Sequence, residues 1–287
     1  MKTYHDIVGD GGSNVVAQVE SQQQAIQRAL SGVRHLVAVG SGKGGVGKST
    51  LTMELARALR QESARVAVLD GDLNGPCQAQ LAGLEARPWV PGENGLEMPR
   101  SEDGIGVVSV GSLLPSARPL EFESVAEGEE QTWRGTREFA MLAQLLGSVH
   151  WGTLDFLLVD LPPGTDRTRQ FAHFLGEPTV FVLVTIPSDL SRGVVARSIS
   201  ALEEGHHRLL GYVENMSGYY CRDCGEIRPL FPASDIDLPI PRLGSVPFDP
   251  HLASLGPAES AEPSPARLEL GHIAKKILNA LDSENRR

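Results

Sequence analysis

Six short apolar runs rich in Val, Leu and Ile recur along the chain, at 35–40, 65–70, 105–110, 155–160, 179–185 and 209–213. Runs of this length without strict alternation predict strands buried on both faces. Between them, 49–61, 136–148 and 191–204 place apolar residues three and four apart, the spacing of crossover helices. Together they predict an α/β fold, a doubly wound, mostly parallel sheet flanked by helices. Residues 1–33 read as a leader segment with one short helix at 19–30, and 34–282 as the main domain, followed by a tail at 283–287. The stretches 87–104 and 115–131 are rich in Pro, Gly and Glu and read as long surface loops, the second markedly acidic. From Asn215 to Pro241 the pattern reads as irregular, and 266–282 as a closing helix with Leu268, Ile273, Ile277, Leu278 and Leu281 on one face.

The composition narrows the class of partners. At 287 residues, 41% hydrophobic and 22% charged, the chain is an ordinary globular protein with enough length for one large domain. A formal net charge of −10 argues against a general affinity for nucleic acid or anionic membrane, since both require dense Lys/Arg patches. The longest strand-like apolar stretch, 179–186, is too short to span a bilayer, so the expectation is a cytoplasmic protein with neither nucleic acid nor membrane as partner.

Gly42-Lys43-Gly44-Gly45-Val46-Gly47-Lys48-Ser49 fits the phosphate-loop pattern G-x-x-x-x-G-K-[ST], and lies between a predicted strand and a predicted helix, as that motif requires. Glycines let backbone N–H groups wrap an anion, the helix N-terminus adds partial positive charge, and Lys48 reaches the β- and γ-phosphates of ATP. Ser49 is the expected Mg²⁺ ligand, and Thr50 bonds the α-phosphate. Between Thr3 and Ala274 the only lysines are Lys43 and Lys48, every other basic side chain being arginine. A compact ammonium fits inside such a loop where a planar guanidinium does not. Lys43 stands outside its own cradle, either as a solvated loop lysine or as a group reaching across a dimer interface to stabilise a transition state.

Hydrolysis needs a group to orient water and a carboxylate near the metal, both at the C-terminal ends of strands. Asp72, just beyond the run ending at Asp70, is the candidate for positioning water; a turn-forming Asp is the plainer alternative. Asp160 ends the run Phe156-Leu157-Leu158-Val159 and precedes Leu161-Pro162-Pro163-Gly164-Thr165, the form of a Walker B strand and switch loop. Its carboxylate is expected to reach Mg²⁺ through a water, and Gly164 to offer an N–H to the γ-phosphate.

Three cysteines are too few for a disulfide framework, but Cys221 and Cys224 form a C-x-x-C pair. Alone, the pair fits an iron–sulfur cluster, half a zinc site, a redox disulfide or two inert thiols. Cys77 follows Pro76 at a predicted helix start, where the dipole favours a lowered thiol pKa and burial would make it a small core residue. The eight histidines lack metal-ligand spacing.

Taken together, the phosphate loop, Asp70-Gly71-Asp72-Leu73-Asn74-Gly75-Pro76, Asp160-Leu161-Pro162-Pro163-Gly164-Thr165, Trp133-Arg134-Gly135, Glu214-Asn215-Met216-Ser217, the Cys221–Cys224 pair and Val246-Pro247-Phe248-Asp249-Pro250 resemble the Mrp/ApbC family of iron–sulfur cluster carrier ATPases, over about residues 34 to 282. The phosphate loop alone points only to the wider deviant-Walker class shared with MinD, ParA and the nitrogenase iron protein, a SIMIBI-type P-loop NTPase fold. The resemblance implies a slow ATPase working as a homodimer, with Lys43 acting in trans, Lys48 and Asp72 in hydrolysis, and Asn215 and Pro247 around the base. It also implies a metal-binding segment at about 215–230 in which Cys221 and Cys224 of two subunits hold one [4Fe–4S] cluster, with Zn²⁺ as the alternative, for transfer to apo iron–sulfur proteins. The chain departs from the family pattern at Cys77, where serine is common, and at Asp166-Arg167-Thr168. A nucleotide switch of the MinD/ParA type for positioning or partitioning is the rival reading, though it has no need of Cys221 and Cys224. A small-molecule kinase or ligase is a third, for which no substrate motif is present.

Overall fold

The computed structural model describes residues 15–85, 87, 89–112, 130–176, 179–221, 224–232, 236–253 and 264–284. Helix α1 (Val15–Ala29) precedes β1 (Val33–Ser41), α2 (Lys48–Gln61), β2 (Val66–Asp70) and the short α3 (Gln78–Leu81). A hairpin of β3 (Val90–Gly92) and β4 (Gly95–Glu97) leads to β5 (Gly106–Val108), α4 (Glu130–Ser148), β6 (Leu154–Asp160) and α5 (Thr165–Leu175). Then come β7 (Thr179–Thr185), α6 (Asp189–Glu204), β8 (Arg208–Tyr220), β9 (Ile227–Arg228), β10 (Arg242–Phe248) and α7 (Pro265–Glu284).

The main sheet runs in the order β10-β8-β7-β1-β6-β2-β5, every neighbouring pair parallel, with β9 added antiparallel to β8. Successive side chains alternate between its faces, as the strand period of two dictates. Val37 and Val39 of β1, Phe156 and Leu158 of β6, and Val180 and Val182 of β7 enter one core with α2 and α7. Leu36 and Ala38, Leu157 and Val159, and Phe181 and Leu183 enter the other, with α4, α5 and α6. Burial on both faces explains why these strands carry unbroken apolar runs. β1 is central, with β6 on one side and β7 on the other, so the crevice at its C-terminal end is the switch point where such sheets bind ligands.

Helix α1 lies on α4: a Cβ at Gly147 would stand 3.4 Å from Ala25 Cβ, and Ile26 and Leu30 pack onto the second core. The acidic loop expected at 115–131 lies largely outside the described residues, although 130–131 already belong to α4. Two expectations need correction. The segment from Asn215 to Pro241 is not irregular throughout, because β8 continues to Tyr220 and turns back through β9. Val90–Gly92 and Gly95–Glu97 form a hairpin inside the supposed loop 87–104. Arg242–Phe248, where the apolar pattern predicts no element, is a sheet strand whose register breaks between Val246 and Phe248, around Pro247, a residue without an N–H for the ladder.

Candidate functional site

The loop 42–47 joins central β1 to α2, and its backbone is shaped by side chains that approach it closely. Gly45 and Gly47 have φ of 77° and 79°, in the left-handed region that favours glycine. A Cβ at Gly42 would lie 2.6 Å from Val194 Cγ1, and one at Gly47 2.3 Å from Asn215 Nδ2. Asn215 Nδ2 donates to Val46 O at 2.9 Å, so β8 braces the loop from behind. The structure thus gives this amide a contact with the loop backbone. Pro247 is buried on β10, one residue beyond Val246, the register partner of Asn215. Gly44, Gly45, Ser49 and Thr50 are at least partly open to solvent, and no hydrogen bond or ion pair involves the Lys43 ammonium among the described residues. Its carbonyl accepts from Ser41 Oγ at 3.1 Å.

Under the loop, buried polar groups converge. Lys48 Nζ pairs with Asp160 Oδ1 and donates to Ser49 Oγ at 3.1 Å. Thr52 Oγ1 donates to Asp160 Oδ1 at 3.3 Å, and Gln78 Nε2 bridges Asp160 Oδ2 at 2.8 Å and Ser49 O at 3.0 Å. Gln78 is fully buried and its Oε1 has no partner. Asp70, also fully buried, accepts at Oδ2 from the backbone N–H groups of Cys77 at 2.9 Å and Gln78 at 3.0 Å and from Ser109 Oγ at 2.9 Å. Burial, and then the neighbouring Asp160 charge, push Asp70 up to about 7 against those donors. Two enclosed carboxylates beside a serine hydroxyl and an orphaned amide oxygen fit a hydrated divalent cation, whose charge would relieve their repulsion. Ser49 and Asp160, linked through Lys48 and Gln78, are the residues that could hold such an ion.

Asp72 is half-buried past the end of β2, and its Oδ1 accepts from Gly75 N at 3.2 Å, so the turn-forming reading holds in this structure and its second oxygen remains for another partner. Gly164 N donates to Ser41 O at 2.9 Å, so offering that N–H to a γ-phosphate requires the segment to rotate. Its φ of 112° favours glycine. Burial, ahead of the Asp70 charge, pushes the Cys77 thiol up to about 11, so enclosure outweighs any helix-end effect.

The cysteine pair sits at the tip of the β8–β9 hairpin, beyond the last β7 partner of β8 at Glu214. Cys221 N donates to Glu226 O at 2.9 Å and Gly225 N to Cys221 O at 2.8 Å, with Gly225 at a φ of 71°, so Cys221 is bonded back onto the 224–226 stretch. Cys224 is exposed, as are Tyr219 and Ile227 beside it. Among the described residues no group of three or more His, Cys, Asp or Glu could hold a metal ion.

The ParA family described as NUBPL iron-transfer P-loop NTPase matches residues 32–279. The chain belongs to this iron-transfer P-loop NTPase family. It is 32% identical over 279 residues to an iron–sulfur cluster carrier protein of Saccharolobus solfataricus, covering 93% of this chain and 90% of the relative. It is 38% identical over 265 residues to the cytosolic Fe–S cluster assembly factor NUBP2 of Bos taurus, covering 87% and 94%. The family fold is met in a nucleotide-binding protein of Archaeoglobus fulgidus solved with ADP, 31% identical with a TM-score of 0.65 over 88% of this chain and 91% of that one. The septum site-determining protein MinD of Pyrococcus horikoshii, solved with Mg-ADP, has a TM-score of 0.57 at 20% identity over 85% and 95%, a likeness of fold alone. In this iron-transfer NTPase, sequence reasoning missed Gln78, Thr52 and Ser109, which lack a motif and enter the site only through the fold.

Proposed function

We propose that this protein is an ATP-hydrolysing iron–sulfur cluster carrier of the cytosol, which holds a [4Fe–4S] cluster between two copies of the chain and hands it to apo iron–sulfur proteins. The observation that carries the proposal is the course of β8. One strand presents Asn215 to the phosphate loop through its bond to Val46 O and, six residues on, Cys221 at the hairpin tip. A shift in the loop on nucleotide binding or hydrolysis therefore has a direct covalent path to the thiols.

In this reading the loop amides of Gly42, Gly44, Gly45, Val46 and Gly47 cradle the phosphates, and Lys48 leaves Asp160 for the β- and γ-oxygens. Mg²⁺, when bound, supplies Lewis-acid charge at those oxygens. Ser49 and Asp160 orient toward it, while Gln78 holds Asp160 in place. Thr50 bonds the α-phosphate and Asp72 orients the attacking water. Lys43, without a partner among the described residues, serves the phosphates of the second copy. Asn215 and Pro247 flank the base. The cluster is cargo: each chain gives two thiolates, and a cubane takes four.

Anaerobic reconstitution with iron and sulfide, comparing the intact protein with a Cys221→Ser/Cys224→Ser double variant, tests this. About four irons per dimer, lost in the variant, are expected. Retention of ATP hydrolysis with no cysteine-dependent iron would overturn the carrier reading, and cysteine-dependent zinc in its place would replace the cluster.

A further inference from the structure

Beside the phosphate pocket, a buried carboxylate joins two segments that the hydrolysis proposed above uses separately. Glu138 of α4 is only 5% exposed. Its Oε1 accepts from Asn74 Nδ2 at 2.7 Å, and its Oε2 pairs with Arg167 Nη2. Asn74 belongs to the turn that Asp72 closes onto Gly75 N. Arg167 lies in the first turn of α5, its guanidinium carbon 5.5 Å from the Phe139 ring centre and 5.7 Å from that of Phe171, with Nη1 donating to Gln170 Oε1 at 3.2 Å. Stacking against two rings and pairing with an enclosed carboxylate leave this arginine little freedom.

The Gly164 segment is tied to the same turn of helix. Gly164 O accepts from both Thr168 N and Thr168 Oγ1, each at 3.0 Å. Rotation that frees the Gly164 N–H from Ser41 O for a phosphate must therefore pull on the first turn of α5, and with it Arg167. A buried charge keeps its partners, because separation would leave it uncompensated. We infer that Glu138 is a positioning residue that couples the Gly164 segment to the Asp72 turn through Arg167 and Asn74, so that contact with the γ-phosphate on one side sets the water-orienting carboxylate on the other. This rests on the ATPase reading, and Glu138 itself touches no reacting atom.

The test uses the full chain with Asn74→Ala, an exposed position that leaves the core intact, and with the near-isosteric Glu138→Gln, alone and together. Steady-state hydrolysis of Mg-ATP should lose about tenfold in kcat in each single variant while KM stays within about twofold, as misplacement without lost binding predicts. The double variant should be no slower than the singles, since both cut one link. Hydrogen exchange read with Mg-ATPγS should show protection spreading to 165–170 and 71–75 in the intact protein, but stopping at 165–170 in Asn74→Ala. Unchanged kcat, additive losses near a hundredfold, or protection reaching 71–75 in Asn74→Ala would overturn the coupling. An intact protein that binds the analogue yet turns over no ATP would remove the ATPase reading, and the exchange pattern would then decide the coupling by itself.

Discussion

Gly47→Ala addresses the most constrained point of the phosphate loop. Gly47 caps α2 with φ 79° and ψ 18°, and an added Cβ would stand 2.3 Å from Asn215 Nδ2. A left-handed alanine costs about 1–2 kcal/mol relative to glycine. The Cβ must also displace the Asn215 amide, breaking its 2.9 Å bond to Val46 O, a net loss of about 1 kcal/mol. Together these come to about 2–3 kcal/mol against the shape that binds phosphate, a loss of roughly 30- to 150-fold in ATP affinity. Calorimetric titration of Mg-ATP into the intact protein, Gly47→Ala, Asn215→Ala and the double variant separates the two contributions. With Asn215 shortened the collision is gone and only the backbone strain remains, so the penalty of Gly47→Ala should shrink by about fivefold in that background. An affinity within about threefold of the intact protein, or the same penalty in both backgrounds, would refute the reasoning.

Three further outcomes are expected. Lys43→Ala should abolish hydrolysis while ATP affinity stays within about threefold, as a group serving the second copy requires; equal loss of both in paired turnover and binding assays would remove that role. Gln78→Leu leaves Ser49 O and Asp160 Oδ2 without their amide donor, so nucleotide affinity with Mg²⁺ should fall about tenfold or more and that without Mg²⁺ change little, by titration in each condition. The Cys77 thiol, held up to about 11 against an ordinary 9.0, should be alkylated roughly a hundredfold more slowly than a free thiol at pH 8, as followed by mass spectrometry. Folding keeps that proton on across the interval, so the thiol's contribution to stability falls as pH rises from 9.0 toward 11. Alkylation at the rate of Cys224 would refute the enclosure.

What could be read from the chain and what could not divide along a physical line. Strands buried on both faces announced themselves, because Val180–Val184 and Phe156–Val159 face two cores and carry apolar residues at every position. The phosphate loop was legible because its chemistry is local: the anion is held by consecutive N–H groups, which demand glycine at fixed spacing. β10 went unassigned because Gly244, Ser245 and Pro247 break up its apolar run, yet a Cβ at Gly244 would collide with Ile273 of α7 at 2.6 Å, so the glycine is there for close packing. α5 was hidden because its first two turns are Thr, Asp, Arg and Gln, and of its three fully enclosed residues, Thr168, Phe171 and Ala172, one is polar. Gln78 and Glu138 meet partners 82 and 64 residues away in sequence, and no local pattern encodes such a meeting.

The likeness of fold to MinD proteins at 20% identity makes the same division visible. A shared fold leaves open what a nucleotide would control. In this chain that question turns on the end of β8. The strand should stop where β7 stops, at Glu214, but instead continues to Tyr220 and folds back along β9. Met216, at a φ of 53°, marks the joint, since a left-handed methionine costs about 1–2 kcal/mol and persists only where its surroundings hold it. On one side of the joint is the amide that braces Val46; on the other are the two thiols. An extension that served only the sheet would need neither the costly residue nor the exposed tip. Its position ties the half-buried Cys221 and the exposed Cys224 to the glycine-rich loop, and makes the hairpin the part of the molecule whose removal should leave a nucleotide-binding protein with nothing to carry.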